Sequence, residues 1–500
     1  MNLEKYRKTA ENFLSRLDKE YYLHFAGLKD QLNTSVIYEE NSELFDIRNF
    51  DYIRNLKQKA VSADEKSRLY GLLKFCGEGL IENQVKELSD EIAEQEAKAI
   101  IEIDGNEVSY RYSEILLSNE ADKEKRDAID DRRNALVKKE FNPKMMRYWN
   151  ILHNQARIMG FSSYSELFSY MKDEDFKKTQ SQMEKLLEET RDIYEEHFGR
   201  LLLTETGIEL HNSRKSDFAK VRRAVKYDKY FKKELLVDVF RDTLMSMGID
   251  VSRQSNIIFD VEERKNKSPR AFCATVRVPE EIYLVVMPRG GQDDYEAIFH
   301  EGGHAEHFSN TRSGLDFEFK FLGDNAVTEG YAFTLEHLMQ NSQWLNYFLK
   351  MPSGDSREFV YFSNIIKLWF CRRYAGKLRY ELILNDGSLL PGKENIYRSI
   401  LSDASMMQYS DADYLKDVDE GFYSTNYIRA WIFEAQLKEY MQHKFGYGWM
   451  KQKKAGDFLR EIWSYGQKYN PVEILRQLDY RELDINYLIS SLISGIKENS

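Results

Sequence analysis

The stretch from Ala297 to Phe308 reads AIFHEGGHAEHF and contains the pattern His-Glu-x-x-His at His300, Glu301 and His304. Residues four apart on a helix stand on the same face, so the two imidazoles can bind one metal ion through nitrogen. Glu301 then borders the open side of the metal, where a carboxylate can accept a proton from a zinc-activated water. The pattern predicts a metal-binding helix over residues 293–309, with His300 and His304 as ligands and Glu301 as general base.

Two glycines, Gly302 and Gly303, stand between these histidines. Each costs roughly 1 kcal/mol of helix stability relative to alanine. A helix that accepts this cost indicates a close approach by a substrate or by another backbone. The alternative is an amphipathic helix with incidental histidines, but apolar Phe299 and Phe308 on either side favour a buried metal site.

A catalytic zinc usually has three protein ligands. The stretch 323–337 follows the first motif and has helical spacing of its apolar residues. It contains Glu329, the predicted third ligand, and Glu336, seven residues later on the same helix face. Glu336 is predicted to orient a ligand histidine by a hydrogen bond. Two solvated glutamates are the alternative. We therefore expect one Zn²⁺ per chain, although cobalt or manganese could occupy such a site in vitro.

These residues resemble a known family. His300, Glu301, Gly303, His304 and His307 are similar to the HEFGHxxH signature of the thimet oligopeptidase and oligoendopeptidase F family of HExxH zinc metallopeptidases. Glu329 lies at the distance of that family's glutamate ligand, and Glu336 matches a further acidic position. The resemblance extends over residues 100–440, including segments near 160–164, 270–272 and 282–287. Gly302 differs, because the family usually has a bulky residue there.

The fold expected from the resemblance and from the helical spacing is mainly α, with two helical lobes around a deep substrate cleft and a small β-sheet next to the metal-binding helix. The predicted N-terminal lobe is 1–180, with a β-hairpin near 99–112. The predicted catalytic lobe is 181–500, with a small sheet over 256–287, the metal helix 293–309 and C-terminal helices. An edge strand of that sheet could pair with an extended peptide.

Composition narrows the class of protein. The net charge of -11 argues against nucleic-acid or anionic-membrane binding. The first residues are polar, no apolar run approaches the length of a membrane span, and the three cysteines are far apart. We therefore expect a cytoplasmic enzyme with free thiols that acts on short peptides, without nucleic-acid or membrane partners.

The segment Gly421–Trp431 is rich in aromatic residues. The resembling family has a glycine-tyrosine loop here, whose phenols stabilise the oxyanion of peptide hydrolysis. The alignment puts Asp417, Phe422 and Arg429 at positions where the family has a histidine and two tyrosines. Tyr427 is the first candidate for the phenol donor and Tyr423 the second, while Arg429 could bind a peptide carboxylate. An aromatic core helix with one buried ion pair is the alternative.

Together these features predict a zinc-dependent oligoendopeptidase that hydrolyses internal bonds of short peptides. A metallocarboxypeptidase is one alternative, because Arg429 could hold a terminal carboxylate. The other is a catalytically altered, metal-bearing binding or regulatory protein, because the tyrosine and histidine array differs from the family pattern.

Overall fold

The computed structural model describes residues 2–500, which are mostly helical. The first twelve α-helices are α1 (Leu3–Phe25), α2 (Thr34–Glu40), α3 (Ile47–Lys59), α4 (Ala63–Lys98), α5 (Tyr110–Asn119), α6 (Lys123–Leu136), α7 (Asn142–Ile158), α8 (Tyr164–Lys172), α9 (Phe176–Glu189), α10 (Arg191–Thr206), α11 (Lys215–Arg223) and α12 (Leu236–Ser246). The later ones are α13 (Gln292–Asn310), α14 (Phe317–Phe321), α15 (Asn325–Glu336), α16 (Ser342–Phe348), α17 (Ser353–Leu384), α18 (Glu394–Ser405), α19 (Tyr423–Phe445), α20 (Lys453–Trp463), α21 (Pro471–Gln477) and α22 (Ile485–Lys497).

Five short strands form two sheets: β1 (Ile100–Ile103), β2 (Asn106–Ser109), β3 (Ile257–Asp260), β4 (Phe272–Arg277) and β5 (Glu281–Val285). The first two make the predicted hairpin, with Ile100 opposite Ser109. Asp104 and Gly105 both have positive φ in its turn, which suits the twist of a tight hairpin. The mainly α fold class is confirmed.

The second sheet has the order β3-β5-β4, with β3 parallel and β4 antiparallel to β5. One face is covered by α1, because Tyr22 and Ala26 share an apolar cluster with Ala274, Tyr283 and Val285. β4 is an edge strand, and α13 packs beside β4 and β5. The small sheet therefore lies next to the helix that carries the His-Glu-x-x-His pattern.

α13 begins at Gln292 and ends at Asn310, close to the predicted limits. Asp293 and Asp294 lie in its first turn, where negative charge is favourable. The Asp294 carboxylate also accepts a hydrogen bond from the Gly290 amide at 2.6 Å. α15 begins after Asp324, whose side chain accepts from the Ala326 amide at 3.0 Å, as an N-cap does.

One continuous apolar core contains residues from Tyr6 to Ile496, so it draws on both predicted lobes. The predicted boundary at residue 180 falls inside α9, and the division into lobes stays a prediction. Within residues 2–500, none of the helices combines the length and the apolar character that a membrane crossing requires.

Candidate metal centre

The two glycines of the motif bring α13 against its neighbours. A Cβ on Gly303 would lie 2.5 Å from the Cα of Ala332 in α15, and a Cβ on Gly302 would lie 2.3 Å from the Phe240 ring. Neither position has room for a side chain. The close contact at Gly303 is between two backbones, as the sequence indicated, and it brings Glu329 of α15 towards the histidines of α13.

The three predicted ligands converge. Nε2 of His300 lies 3.3 Å from Oε2 of Glu329, and Nε2 of His304 lies 3.8 Å from the same oxygen. One potential ligand atom from each residue lies within 4.8 Å of the other two. Glu329 Oε2 is buried and has no hydrogen-bond partner among residues 2–500. A buried carboxylate oxygen facing two imidazole nitrogens is costly unless a metal cation binds there or one imidazole carries a proton.

Each histidine is held through its other nitrogen. His300 Nδ1 lies 2.8 Å from the Glu336 carboxylate, the contact predicted for Glu336. His304 Nδ1 lies 2.7 Å from the hydroxyl of Thr328, a residue that the sequence analysis missed although it directly precedes Glu329. When Nδ1–H donates to these oxygens, the lone pair of each Nε2 is free for a cation.

The donor set fits zinc. Two neutral imidazole nitrogens and one carboxylate oxygen form a common catalytic zinc set that leaves a position open. Burial lowers the pKa of His304 to about 4, which keeps this imidazole neutral. At His300, burial is outweighed by the carboxylates of Glu329 and Glu336, which raise its pKa, so Nε2 of His300 must lose a proton when it binds a metal ion. Burial alone would raise the pKa of Glu329, but the nearby histidines His300 and His304, with the hydrogen bond from Tyr423, hold it below its ordinary value.

Glu301 stands beside this set and close to the sheet. Its carboxylate accepts a hydrogen bond from the backbone amide of Cys273 in β4 at 2.9 Å. Burial, partly opposed by the charge of His300, raises the pKa of Glu301 to about 7. A carboxylate with a pKa near neutrality can both accept and release a proton. The Cys273 amide is a contact that the sequence pattern did not reveal.

The two candidate tyrosines reach the site in different ways. The Tyr423 hydroxyl donates to Oε1 of Glu329 at 2.7 Å, so it contacts the oxygen that does not face the histidines. The Tyr427 ring packs edge-on against Tyr423, with 5.2 Å between ring centroids, and lines a cavity beside Phe333. Both residues are therefore brought to the centre, and only Tyr423 forms a hydrogen bond to a candidate ligand.

The tyrosine segment, which we define as residues 417–427, has an irregular backbone at its centre. Gly421 and Phe422 have φ values of 61° and 54°. A positive φ at a bulky residue costs roughly 1–3 kcal/mol and persists only where surrounding contacts require it. The Phe422 ring stacks on Phe176 at 4.4 Å, and Lys172 Nζ donates to the carbonyls of Gly421 and Phe422 at 3.2 and 2.8 Å.

The opposite side of the segment is held by α17. Arg373, Lys377 and Glu381 are four residues apart, so they share one helix face. Arg373 contacts Asp417, and Lys377 Nζ lies 2.6 Å from the Asp419 carboxylate. Glu381 accepts a hydrogen bond from the Ser424 hydroxyl. Asp417, at the family's histidine position, also accepts from the Tyr397 hydroxyl at 2.7 Å. Its carboxylate therefore belongs to a network that anchors the segment.

Arg429 lies at the start of α15. Its guanidinium donates to both carboxylate oxygens of Asp324, at 3.0 and 2.5 Å, and lies 3.5 Å from Glu174. The guanidinium is thus already paired with two carboxylates of the protein. Its role as a binder of a substrate carboxylate stays a prediction that this geometry does not favour.

Comparison with known proteins gives a clear result for the fold. No protein-family model and no curated protein sequence matches the chain. Several solved structures do match the chain. A Pz peptidase A with a bound inhibitor is 15% identical and has a TM-score of 0.67, with 100% of this chain and 97% of that chain covered.

A provisional oligoendopeptidase F is 14% identical, with a TM-score of 0.69 and 99% and 95% of the two chains covered. The chain has the fold of these peptidases. A provisional peptidase from Chlamydophila abortus shares it at 12% identity and a TM-score of 0.66, over 98% and 89% of the chains. The resemblance inferred from the motif is confirmed at the level of the fold.

Proposed function

We propose that this protein is a zinc-dependent peptidase that hydrolyses internal bonds of short peptides. The observation that carries the proposal is the buried, unpaired Oε2 of Glu329, which faces Nε2 of His300 and of His304 beside Glu301. His300, His304 and Glu329 would hold the zinc. The zinc, when bound, supplies Lewis-acid polarisation of the peptide carbonyl and of the attacking water.

Glu301 would carry both proton transfers. Its carboxylate would accept a proton from the attacking water and deliver it to the nitrogen of the leaving amine. The Cys273 amide, which donates to Glu301 at 2.9 Å, would hold the carboxylate in place. Burial of Glu301 supports this role, because it brings the pKa of the carboxyl group to about 7.

Tyr423 would act next to the reacting carbonyl. Its hydroxyl donates to Glu329 and thereby orients a ligand. During the reaction the same hydroxyl would donate to the developing oxyanion. Tyr427, the first candidate from the sequence, is adjacent, and we now place it second because Tyr423 has the hydrogen bond to Glu329. The edge strand β4 borders Glu301 through Cys273, so a peptide paired along this edge would pass the catalytic carboxylate.

Two observations bear on the alternatives. A carboxypeptidase needs a cation for the terminal carboxylate, and Arg429 is already paired with Asp324 and Glu174. A binding protein without turnover does not need a general base, yet Glu301 is intact and lies beside the ligands. Both observations favour the oligoendopeptidase.

A panel of quenched peptides, each prepared with a free and with an amidated C-terminus, tests the proposal. We expect cleavage of both forms at internal bonds, loss of cleavage after chelation and recovery with added zinc. Cleavage of free C-termini only would establish the carboxypeptidase. Stoichiometric zinc without cleavage of any peptide would establish the non-catalytic alternative.

A further inference from the structure

A cavity of about 210 Å³ lies next to the metal centre. An engineered cavity of roughly 150 Å³ is large enough to bind benzene, so this one can hold an aromatic side chain. Apolar and aromatic side chains from α15, α17 and α19 form one part of its wall: Phe333, Ile366, Phe370, Tyr374, Tyr427 and Trp431. Charged and polar side chains form most of the rest.

The cavity and the metal centre share residues. Glu336 lines the cavity and lies 2.8 Å from Nδ1 of His300. The Phe333 ring centroid is 5.0 Å from that of the His300 imidazole, and Tyr427 packs against Tyr423. A side chain in this cavity would therefore belong to a residue close to the bond that is cleaved.

The charged residues of the cavity wall are paired within the protein. Arg222 lies 3.3 Å from the Glu296 carboxylate, and Lys367 lies 2.9 Å from the Glu434 carboxylate. A charged substrate side chain would find no uncommitted partner in these two pairs and would lose its hydration. The wall thus favours a neutral side chain.

Gln340 and Ser363 also line the cavity and supply uncharged polar groups to its wall. Gln340 is 7% exposed, its Nε2 donates to the Ser363 hydroxyl at 3.3 Å, and its Oε1 has no hydrogen-bond partner among residues 2–500. A glutamine amide can turn by 180°, and in both orientations one polar atom meets Ser363 and the other stays unpaired. A ligand that both donates and accepts a hydrogen bond would satisfy either orientation.

We propose that this cavity selects peptides with tyrosine next to the cleaved bond. A tyrosine ring matches the aromatic wall, and its hydroxyl both donates and accepts, which matches Gln340 and Ser363. Phenylalanine would fill the same space but leave the glutamine unpaired. The inference rests on the proposed peptidase function, and it adds the substrate class.

The first test compares quenched peptides that differ only in one residue, tyrosine, phenylalanine or alanine, with the cleaved bond located by mass spectrometry. We expect cleavage next to the aromatic residue. The kcat/KM should be about five- to tenfold higher for tyrosine than for phenylalanine, as for one hydrogen bond. It should be about ten- to a hundredfold higher for phenylalanine than for alanine.

Gln340→Met keeps the side-chain length and removes the amide. This change should reduce the ratio of kcat/KM for tyrosine over phenylalanine to near one, whereas Gln58→Met at an exposed site of α3 should leave the ratio unchanged. Because both peptides are measured on the same preparation, the ratio does not depend on the folded fraction. Equal rates for tyrosine and phenylalanine, or a ratio unaffected by Gln340→Met, would overturn the proposal.

A binding experiment separates this proposal from the proposed function. Calorimetry on Glu301→Gln, which should not turn over peptides, would measure affinity for acetylated Ala-Tyr-Ala and Ala-Phe-Ala. Tyrosine-selective binding that Gln340→Met abolishes would support the cavity assignment even if no peptide is hydrolysed. Hydrolysis without tyrosine selectivity would retain the peptidase and reject the cavity assignment.

Discussion

The metal ligands and the tyrosine segment lie within hydrogen-bond distance of each other, yet they are held in different ways. The ligands sit on two regular helices, α13 and α15, whose backbones meet at Gly303. The tyrosine segment has positive φ at Gly421 and Phe422 and is held by distant side chains. Helix periodicity places the ligands, whereas long-range polar contacts place Tyr423.

The two regions should therefore respond differently to amino-acid substitution. A ligand on a helix is positioned by many backbone hydrogen bonds, so the loss of one ligand should remove metal while the helices persist. A segment in an unfavourable conformation depends on each of its contacts. We therefore expect substitutions around the tyrosine segment to change turnover without removing metal.

The largest effect is expected for His304→Ala. Removal of one of the two nitrogen ligands should abolish stoichiometric zinc binding and, with it, peptide hydrolysis. Elemental analysis of the purified variant measures its zinc content. His211→Ala, which removes an exposed histidine, is the matched control. Full zinc content in His304→Ala would show that the metal is not bound here.

Glu301→Gln should have the next largest effect. The amide cannot accept a proton, so the kcat should fall by about a thousandfold or more while zinc content and thermal stability stay close to those of the unchanged protein. Glu306→Gln serves as a control on the same helix, because that carboxylate contacts Gln254 and Asn310. Turnover near the normal rate by zinc-loaded Glu301→Gln would refute the mechanism.

Tyr423→Phe should lower the kcat by about a hundredfold with little change in KM, since a phenol that bonds the oxyanion acts only in the transition state. Tyr427→Phe, measured in parallel, decides which tyrosine is the donor. Zinc should stay bound to Tyr423→Phe, although with lower affinity, because the lost hydroxyl contacts Glu329. If Tyr427→Phe alone has the large effect on kcat, Tyr423 only orients the ligand.

The smallest effect is expected for Lys172→Met, which removes the donor to the Gly421 and Phe422 carbonyls. We expect about a tenfold lower kcat, because Tyr423 would lose its fixed position. In a Tyr423→Phe background the same change should have little further effect, as for residues that act through each other. Lys178→Met, at an exposed lysine of α9, is the control. Additive losses in the double variant would mean that Lys172 does not act through Tyr423.

Much of the centre could be predicted from sequence. His300, His304 and Glu336 follow from intervals of four and seven residues, and such intervals translate directly into helix faces. Glu329 was predicted as a carboxylate on the next helical stretch and was supported by the resemblance, since no spacing rule joins two separate helices. The hairpin near residue 100 followed from its turn residues.

Other parts could not be predicted because their partners are remote in sequence. Thr328 lies beside a predicted ligand, yet its contact with His304 depends on how α15 is rotated against α13. The sequence allowed for one buried ion pair in the segment of Arg429, but its partner Asp324 is 105 residues away and neither local pattern indicated it. Lys172 and the tyrosine segment are about 250 residues apart.

The sequence by itself determined the mainly α class, the two histidines and the adjacent glutamate, because these depend on local periodicity and on the chemistry of the side chains. Only the tertiary structure decided which tyrosine contacts Glu329, how Arg429 is used and where an aromatic cavity adjoins the metal centre. These features depend on the relative positions of α8, α15, α17 and α19. Packing and polar pairing between distant segments set those positions, and no local pattern encodes them.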